Sequence, residues 1–289
     1  MSKIAPAFST GVWASGDGLA LRYRDYPGPG DRPPVLCIPG LTRNCRDFEP
    51  LAEGLAGDWR VICADLRGRG QSDYARDSAS YQPLQYADDI LALLDHLGLE
   101  RVVAIGTSLG GIVIMLMALK APDRLAAVAL NDVGPEIEAA GLARIRSYVG
   151  QGRSFPTWMH AARGLREQAG AAHPDFAIAD WLRLAKRLMA VGPGGRIAFD
   201  YDMKIAEPFQ TAEGTAPVDM WPAFRALAGR PLLALRGELS DILSAETVAR
   251  MKREVPQLDT VTVKRVGHAP TLEEPTARKA IGRWLARVS

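Results

Sequence analysis

Short, strongly apolar segments alternate along most of the chain with segments that show helical spacing of apolar residues. The strand-like segments cover residues 35–38, 60–66, 101–105, 125–130, 231–237 and 260–266. The first of them is apolar throughout, which is typical of a strand buried on both faces of a parallel sheet. An amphipathic helix is predicted at residues 84–97, and a buried helix at the apolar run 112–119. Further helices are predicted at residues 244–254 and, after the last strand, at 273–288. Strands that alternate with helices predict an α/β fold with right-handed crossovers.

Two parts of the chain depart from this alternation: the N-terminal segment and the segment between residues 135 and 217. Residues 11–14 and 19–25 predict a hairpin around the glycine-rich turn Ser15-Gly-Asp-Gly18. Between residues 135 and 217 helical segments dominate, and no strong buried strand is predicted. We therefore expect a core of residues 1–134 and 217–289, with residues 135–216 inserted as a helical cap. The large apolar side chains of the insertion either pack its own small core or line a pocket at the junction.

The segment 101–105 runs directly into Gly106-Thr-Ser-Leu-Gly110, and an apolar helix follows at once. A serine between a strand and a helix, flanked by glycines, is the pattern of a nucleophile elbow. Side chains at Gly106 and Gly110 would clash in so sharp a turn, and the turn holds the serine in a strained conformation. Ser108 is the candidate nucleophile.

Composition narrows the class of protein. The 289 residues are 47% hydrophobic and 24% charged, with a net charge of +2 and an isoelectric point near 8.4. The Lys and Arg residues are scattered, which does not favour binding to nucleic acid or to a membrane surface. The N-terminus lacks the apolar core of a signal peptide, and no apolar run is long enough to span a membrane. Cys37, Cys45 and Cys63 are predicted to be buried thiols, and a cytoplasmic location is expected.

A serine hydroxyl needs a base to accept its proton, and the chain has four histidines. His268 follows the last predicted strand, at the sheet edge where Ser108 also emerges, and it is the candidate base. His96 ends an amphipathic helix and is expected to be solvated. His160 and His173 lie in the insertion and are expected to be structural or exposed.

The histidine in turn needs a carboxylate that orients it. Asp241, after the strand at 231–237, is the first candidate, and the chain order Ser, Asp, His agrees with it. Asp132, which ends the strand after the elbow, is the alternative. Glu238 is expected to be a solvated loop residue. Asp65 is expected to brace the neighbouring loop by hydrogen bonds, together with Arg67 and Ser72.

An oxyanion hole needs two N–H donors that point at the charge formed during acyl transfer. One donor is predicted to be the backbone of Leu109, the residue after the nucleophile. The other is expected in the loop after the strand at 35–38, where the N–H of Leu41 follows Gly40. No cluster of His, Asp or Glu has the spacing of a metal site, so neither a metal nor another cofactor is expected.

Together these features resemble the α/β-hydrolase superfamily over essentially the whole chain. The motifs that carry the resemblance are Pro39-Gly40, Asp65–Asp73, Gly106–Gly111, Gly237 to Asp241, and Gly267–Pro275. The resemblance implies an eight-stranded, mostly parallel sheet with a helical cap after the sixth strand. Within that superfamily the chain is similar to the group of bacterial esterases, enol-lactonases and carbon–carbon-bond hydrolases. The usual His-Gly of the oxyanion loop is Pro39-Gly40 here, and Ser108 replaces the aspartate of haloalkane dehalogenases and epoxide hydrolases.

The function expected from sequence is therefore cofactor-free hydrolysis of an ester or lactone of a small to medium apolar acid, through an acyl-enzyme on Ser108. A small-molecule substrate and a monomer or homodimer are expected. The alternatives are carbon–carbon-bond hydrolysis of a dioxo compound, acyl transfer and, from another class, a non-catalytic binding protein. Carbon–carbon cleavage would call for a cation near the substrate carboxylate, with Arg43, Arg153 and Arg163 as candidates.

Overall fold

The computed structural model describes residues 8–211 and 218–288. Its centre is an eight-stranded sheet in the order β1-β2-β4-β3-β5-β6-β10-β11. β2 runs antiparallel to its neighbours β1 and β4, and the other pairs are parallel. The strands are β1 Ser9–Ala14, β2 Ala20–Tyr26, β3 Val35–Ile38, β4 Val61–Asp65, β5 Val102–Thr107, β6 Leu125–Asn131, β10 Leu232–Gly237 and β11 Asp259–Val263. The expected α/β-hydrolase sheet is confirmed.

Two layers of helices cover this sheet. The helices are α1 Glu49–Leu55, α2 Pro83–His96, α3 Leu109–Lys120, α8 Trp221–Arg225, α9 Ala245–Glu254 and α10 Pro275–Leu285. Successive residues of a strand point to opposite faces, so Leu36 and Ile38 belong to the core under α2, α3 and α8, while Val35 and Cys37 belong to the core under α1 and α10. This two-sided burial explains why the central strands are continuously apolar.

The segment between β6 and α8 departs from the α/β rhythm, as the sequence predicts. It contains α4 Ala139–Tyr148, α5 Trp158–Ala169, α6 Ile178–Leu188 and α7 Ala206–Thr211, and also β7 Ser154–Phe155, β8 Met189–Val191 and β9 Ile197–Phe199. The three strands form a small antiparallel sheet in the order β7-β9-β8. Helices dominate the insertion, as predicted, and the three strands were not predicted because strands of two or three residues are too short to show a sequence period.

The insertion has an apolar core of its own, formed by α5, α6 and the small sheet around Trp181. It also joins the main core, where Tyr201 and Ile205 are buried. The large apolar side chains of the insertion therefore pack its own core, which is the first role considered, and the lining of a pocket stays a prediction. The division into core and cap stays a prediction, and its second boundary, between residues 216 and 217, lies outside the described residues.

Two further expectations concern the cysteines and membrane-spanning helices. Cys37, Cys45 and Cys63 are free and buried, as expected, and burial raises the pKa of the Cys45 thiol. Among residues 8–211 and 218–288 no helix has the length and apolar content needed to cross a bilayer.

Candidate active site

Ser108 occupies the turn between β5 and α3, with a backbone φ of 52° and ψ of −116°. A Cβ on Gly106 would come within 2.4 Å of the Gly110 carbonyl carbon, and one on Gly110 within 2.0 Å of the Ile38 oxygen. Neither position therefore tolerates a side chain without moving the backbone. The Ser108 N–H donates to the Asn131 carbonyl at 3.0 Å, which fixes the turn to the end of β6. The predicted nucleophile elbow is present.

His268 lies against this serine, with its Nε2 2.9 Å from the Ser108 Oγ. Its loop starts after β11, which ends at Val263 rather than at the predicted Val266. Two backbone bonds hold the loop: the Leu239 N–H donates to the Val266 carbonyl at 2.9 Å, and the Gly267 N–H donates to the Ala172 carbonyl at 2.6 Å. The second bond comes from the insertion, which thus helps to place the histidine.

The carboxylate that meets His268 is Asp132, whose Oδ2 lies 2.7 Å from the histidine Nδ1. Asp132 follows β6 directly, with φ of 56°, and its side chain is completely buried. The Gly237 N–H donates to its Oδ1 at 2.7 Å, and the Ser240 hydroxyl donates to its Oδ2 at 2.6 Å. The side chain therefore crosses the end of β10 and reaches the histidine beyond it.

Asp241 does not contact His268, which corrects our first choice for the carboxylate. Its two oxygens accept from the Arg144 Nε at 2.5 Å and Nη2 at 2.8 Å. After β10 the chain turns, with the Ser240 N–H bonded to the Gly237 carbonyl, and this turn delivers Asp241 to α4. The bonds from Arg144 lower the pKa of the Asp241 carboxyl, which is about one-third exposed. Glu238 is exposed, as expected.

The two predicted oxyanion donors border the serine. A Cβ on Gly40 would lie 3.6 Å from the Ser108 Cβ, so the Gly40–Leu41 peptide passes beside the nucleophile. Within the part of the chain that the structure describes, the N–H groups of Leu41 and Leu109 have no hydrogen-bond acceptor. Their use as an oxyanion hole stays a prediction.

The loop after β4 braces the oxyanion loop. The Asp65 Oδ1 accepts from the Cys45 N–H at 2.6 Å, and the Ser72 hydroxyl donates to the Asp65 carbonyl at 2.7 Å. Burial raises the pKa of the Asp65 carboxyl. The bracing role expected for Asp65 and Ser72 is confirmed, whereas Arg67 binds Asp17 and Asp89 instead. The sequence analysis missed Arg69, whose Nε donates to the Leu41 carbonyl at 2.9 Å.

The insertion brings a further histidine close to the site. His173 directly follows Ala172, which is bonded to the His268 loop, and it is buried against Phe176 and Trp181, with ring centroids 4.5 and 5.9 Å away. Burial first, and then the nearby charges of Arg43 and His268, lower the pKa of His173 to about 4. It is therefore neutral at neutral pH. Sequence reasoning left this residue as structural or exposed.

The three arginines considered for a substrate carboxylate differ in position. Arg43 lies next to the oxyanion loop, with its Cγ 3.4 Å from where a Gly40 Cβ would be, and it pairs with Asp47 at 3.1 Å. Arg153 is half-exposed and approaches Glu167 only at 3.9 Å, and Arg163 is exposed. Of the three, only Arg43 has a place at the site.

Comparisons with known proteins agree with this geometry. Residues 33–275 match the model of the alpha/beta hydrolase fold family, so the chain belongs to that family. A 3-hydroxybutyrate-oligomer hydrolase of Cupriavidus necator is 34% identical over 88% of this chain and 89% of its own. A 2-(acetamidomethylene)succinate hydrolase of Mesorhizobium japonicum is 30% identical over 83% and 82%. The crystal structure of an alpha/beta hydrolase from Novosphingobium aromaticivorans shares 62% identity with a TM-score of 0.93, covering 97% of this chain and 99% of that one. The chain is thus an enzyme of the α/β-hydrolase family.

Proposed function

We propose that the protein is a cofactor-free serine hydrolase that cleaves carboxylic esters through an acyl-enzyme. The observation that carries this proposal is the continuous chain from the Ser108 Oγ to His268 Nε2, at 2.9 Å, and from His268 Nδ1 to Asp132, at 2.7 Å. A serine, a histidine and a buried carboxylate in this order are the parts required for nucleophilic acyl transfer.

In the first half of the reaction the Ser108 oxygen attacks the ester carbonyl carbon while His268 takes the hydroxyl proton on Nε2. The N–H groups of Leu41 and Leu109 stabilise the oxyanion, and each such donor contributes about 3–4 kcal/mol in acyl-transfer enzymes. His268 then gives its proton to the leaving alcohol. In the second half His268 removes a proton from water as the water oxygen attacks the acyl carbon. The bond to the Ser108 oxygen then breaks, His268 returns the proton to that oxygen, and the acid leaves.

Asp132 is the residue that we assign to orient the histidine. It accepts from Nδ1–H, which leaves the other nitrogen of His268 free to accept the Ser108 proton, and it stabilises the imidazolium that forms. Gly237 and Ser240 donate two further hydrogen bonds to this buried carboxylate.

The proposed substrate class is based on the similarity to a named hydrolase and on the charges near the site. The relative with 34% identity is named for 3-hydroxybutyrate oligomers, which are joined by ester bonds between small hydroxy acids. We infer that an ester or lactone of a small acid, with oligomers of this kind as the first candidates, is the substrate here. Asp47 already neutralises Arg43, so the structure adds no support for carbon–carbon cleavage.

The insertion is proposed to act as a cap over this site. Ala172 is bonded to the His268 loop, and Tyr148 packs with Leu41 in one apolar cluster. Arg46, which lies near the oxyanion loop, donates to the carbonyl of Arg187 and pairs with Asp200. These contacts support a cap that limits the size of the acyl group.

Intact-mass labelling with a fluorophosphonate tests the proposal directly. We expect one covalent adduct on the wild type and none on Ser108→Ala, together with a fall in kcat of about 10⁶-fold for that variant. A series of p-nitrophenyl esters and 3-hydroxybutyrate dimers and trimers, run in parallel, measures the acyl preference. A labelled Ser108→Ala variant, or a wild type that neither labels nor hydrolyses any ester, would contradict the proposal.

A further inference from the structure

Two arginines in the loop after β4, Arg67 and Arg69, are both completely buried, but their surroundings differ. Arg67 binds two carboxylates. Its Nε and Nη2 donate to Asp89, both at 2.7 Å, and its Nη1 and Nη2 donate to Asp17 at 2.8 and 2.9 Å. Its charge is therefore matched within the fold, and it links the loop to the first hairpin and to α2.

Arg69 has no such match. Among residues 8–211 and 218–288 no carboxylate lies within ion-pair distance of it. Its Nη1 donates to the Arg67 carbonyl at 2.7 Å and to the Tyr86 hydroxyl at 2.9 Å, and its Nη2 has no partner among the described residues. The rings of Tyr86 and Tyr81 face the guanidinium, with centroids 4.7 and 5.7 Å from its carbon.

The remaining bond of Arg69 connects it to the reaction. Its Nε donates to the carbonyl oxygen of Leu41, the residue whose N–H we assign to the oxyanion hole. That carbonyl belongs to the Leu41–Thr42 peptide, which directly follows the Gly40–Leu41 peptide that carries the N–H. The bond from Arg69 therefore restricts the backbone rotation between these two peptides. The Arg43 N–H bonds the Gly40 carbonyl at 3.1 Å, and Asp65 bonds Cys45, so the loop is held on both sides of Leu41.

We propose that Arg69 is a positioning residue for the oxyanion hole: by holding the Leu41 carbonyl it holds the backbone of Leu41, whose N–H borders Ser108, and it adds a buried positive charge to this loop. The inference rests on the function proposed above. An isolated buried cation is costly for the folded state. The cost is reduced when a negative charge forms nearby, and the oxyanion that forms next to the Leu41 N–H in the transition state is such a charge.

The test compares matched substitutions in the same loop. Arg69→Met removes the charge and the hydrogen bonds, while Arg69→Lys and Arg67→Lys make the same chemical change at the two arginines. For each variant we would measure kcat and KM with a neutral short-chain p-nitrophenyl ester. We would also measure the inhibition constant of a trifluoromethyl ketone, which forms a hemiketal oxyanion with the serine.

For Arg69→Met we expect kcat to fall about 10- to 100-fold with KM within about threefold, because the lost interaction acts in the transition state. The ketone affinity should fall by the same factor. Arg69→Lys should lie between Arg69→Met and the wild type, and Arg67→Lys should lower the melting temperature without changing kcat or ketone affinity beyond about twofold.

A folded Arg69→Met that keeps kcat and ketone affinity within about twofold of the wild type would overturn the proposal. An equal loss in Arg67→Lys would also overturn it, because the effect would then be a general one of a disturbed loop. If Arg69→Met does not fold, Arg69→Lys against Arg67→Lys decides by the same two measurements. The function proposed above is tested separately, by the wild type: a wild type that hydrolyses no ester would refute that function, whereas the variants test only the role of Arg69.

Discussion

Asp132 and Asp241 both follow strands at the same edge of the sheet, yet their surroundings are opposite. Asp132 is completely buried and binds His268, Ser240 and the backbone of Gly237. Asp241, which follows Ser240 directly, is about one-third exposed and forms its ion pair with Arg144. Asp241 is nearer to His268 in the sequence, yet the carboxylate that bonds the histidine is that of Asp132.

The difference between them lies in the route of the chain after each strand. Asp132 is the first residue after β6, so its side chain starts at the sheet edge and can lean across β10. Asp241 is four residues beyond Gly237, the end of β10, and the intervening turn carries it outwards to α4. Ser240 links the two regions, because its hydroxyl donates to Asp132 and accepts from the N–H groups of Ile242 and Leu243.

The largest effect is expected when the charge of Asp132 is removed. We expect Asp132→Asn to lower kcat on an ester substrate by about 10⁴-fold, because the amide stabilises the wrong histidine tautomer and no longer balances the imidazolium. Asp241→Asn is the matched control, because it makes the same chemical change at the aspartate in the turn after β10. A functional Asp132→Asn beside an inactive Asp241→Asn would return the carboxylate role to Asp241.

The parts of this site that sequence predicted are those encoded locally. The elbow at Ser108 needs only a strand, two glycines and a helix, which lie within a dozen residues. His268 could be placed because it follows the last strand of the sheet. These features depend on chain order and strand direction, and both can be inferred from the hydrophobic pattern.

The choice of carboxylate could not be predicted in the same way, because it depends on how far one side chain reaches across a neighbouring strand. In the sheet β10 lies between β6 and β11. From the strand order alone, either aspartate could therefore reach the histidine that follows β11. The arginine that pairs with Asp241 is Arg144, about a hundred residues earlier in the chain, and nothing in the sequence links the two residues. Arg69 was missed for a related reason: a charged loop residue gives no sign in sequence that it is buried.

A smaller effect is expected from Ser240→Ala, which keeps both aspartates. The substitution removes one of the hydrogen bonds to the buried carboxylate of Asp132, and a bond to a charged group contributes about 1.5–3 kcal/mol. We expect kcat to fall about tenfold and the urea midpoint to fall as well. Ser240→Thr, which keeps a hydroxyl, is the control. Unchanged kinetics in Ser240→Ala would mean that Gly237 and His268 alone hold Asp132 in place.

The smallest effect concerns the Arg144–Asp241 pair, which we expect to support the loop and not the chemistry. Asp241→Asn should keep kcat within about threefold of the wild type. Because the pair is partly exposed, its loss should lower the free energy of unfolding by less than about 1 kcal/mol at neutral pH.

The pH dependence of that difference identifies its source. Arg144 lowers the pKa of Asp241 in the folded protein, so the pair stabilises the fold above the ordinary aspartate pKa, and this contribution disappears as the pH falls through the lowered value. Urea unfolding of the wild type and Asp241→Asn should therefore differ at pH 7 and converge as the pH falls below about 4. In an Arg144→Met background the two should already agree at pH 7. A difference that persists there would show that Asp241 acts through a group other than Arg144.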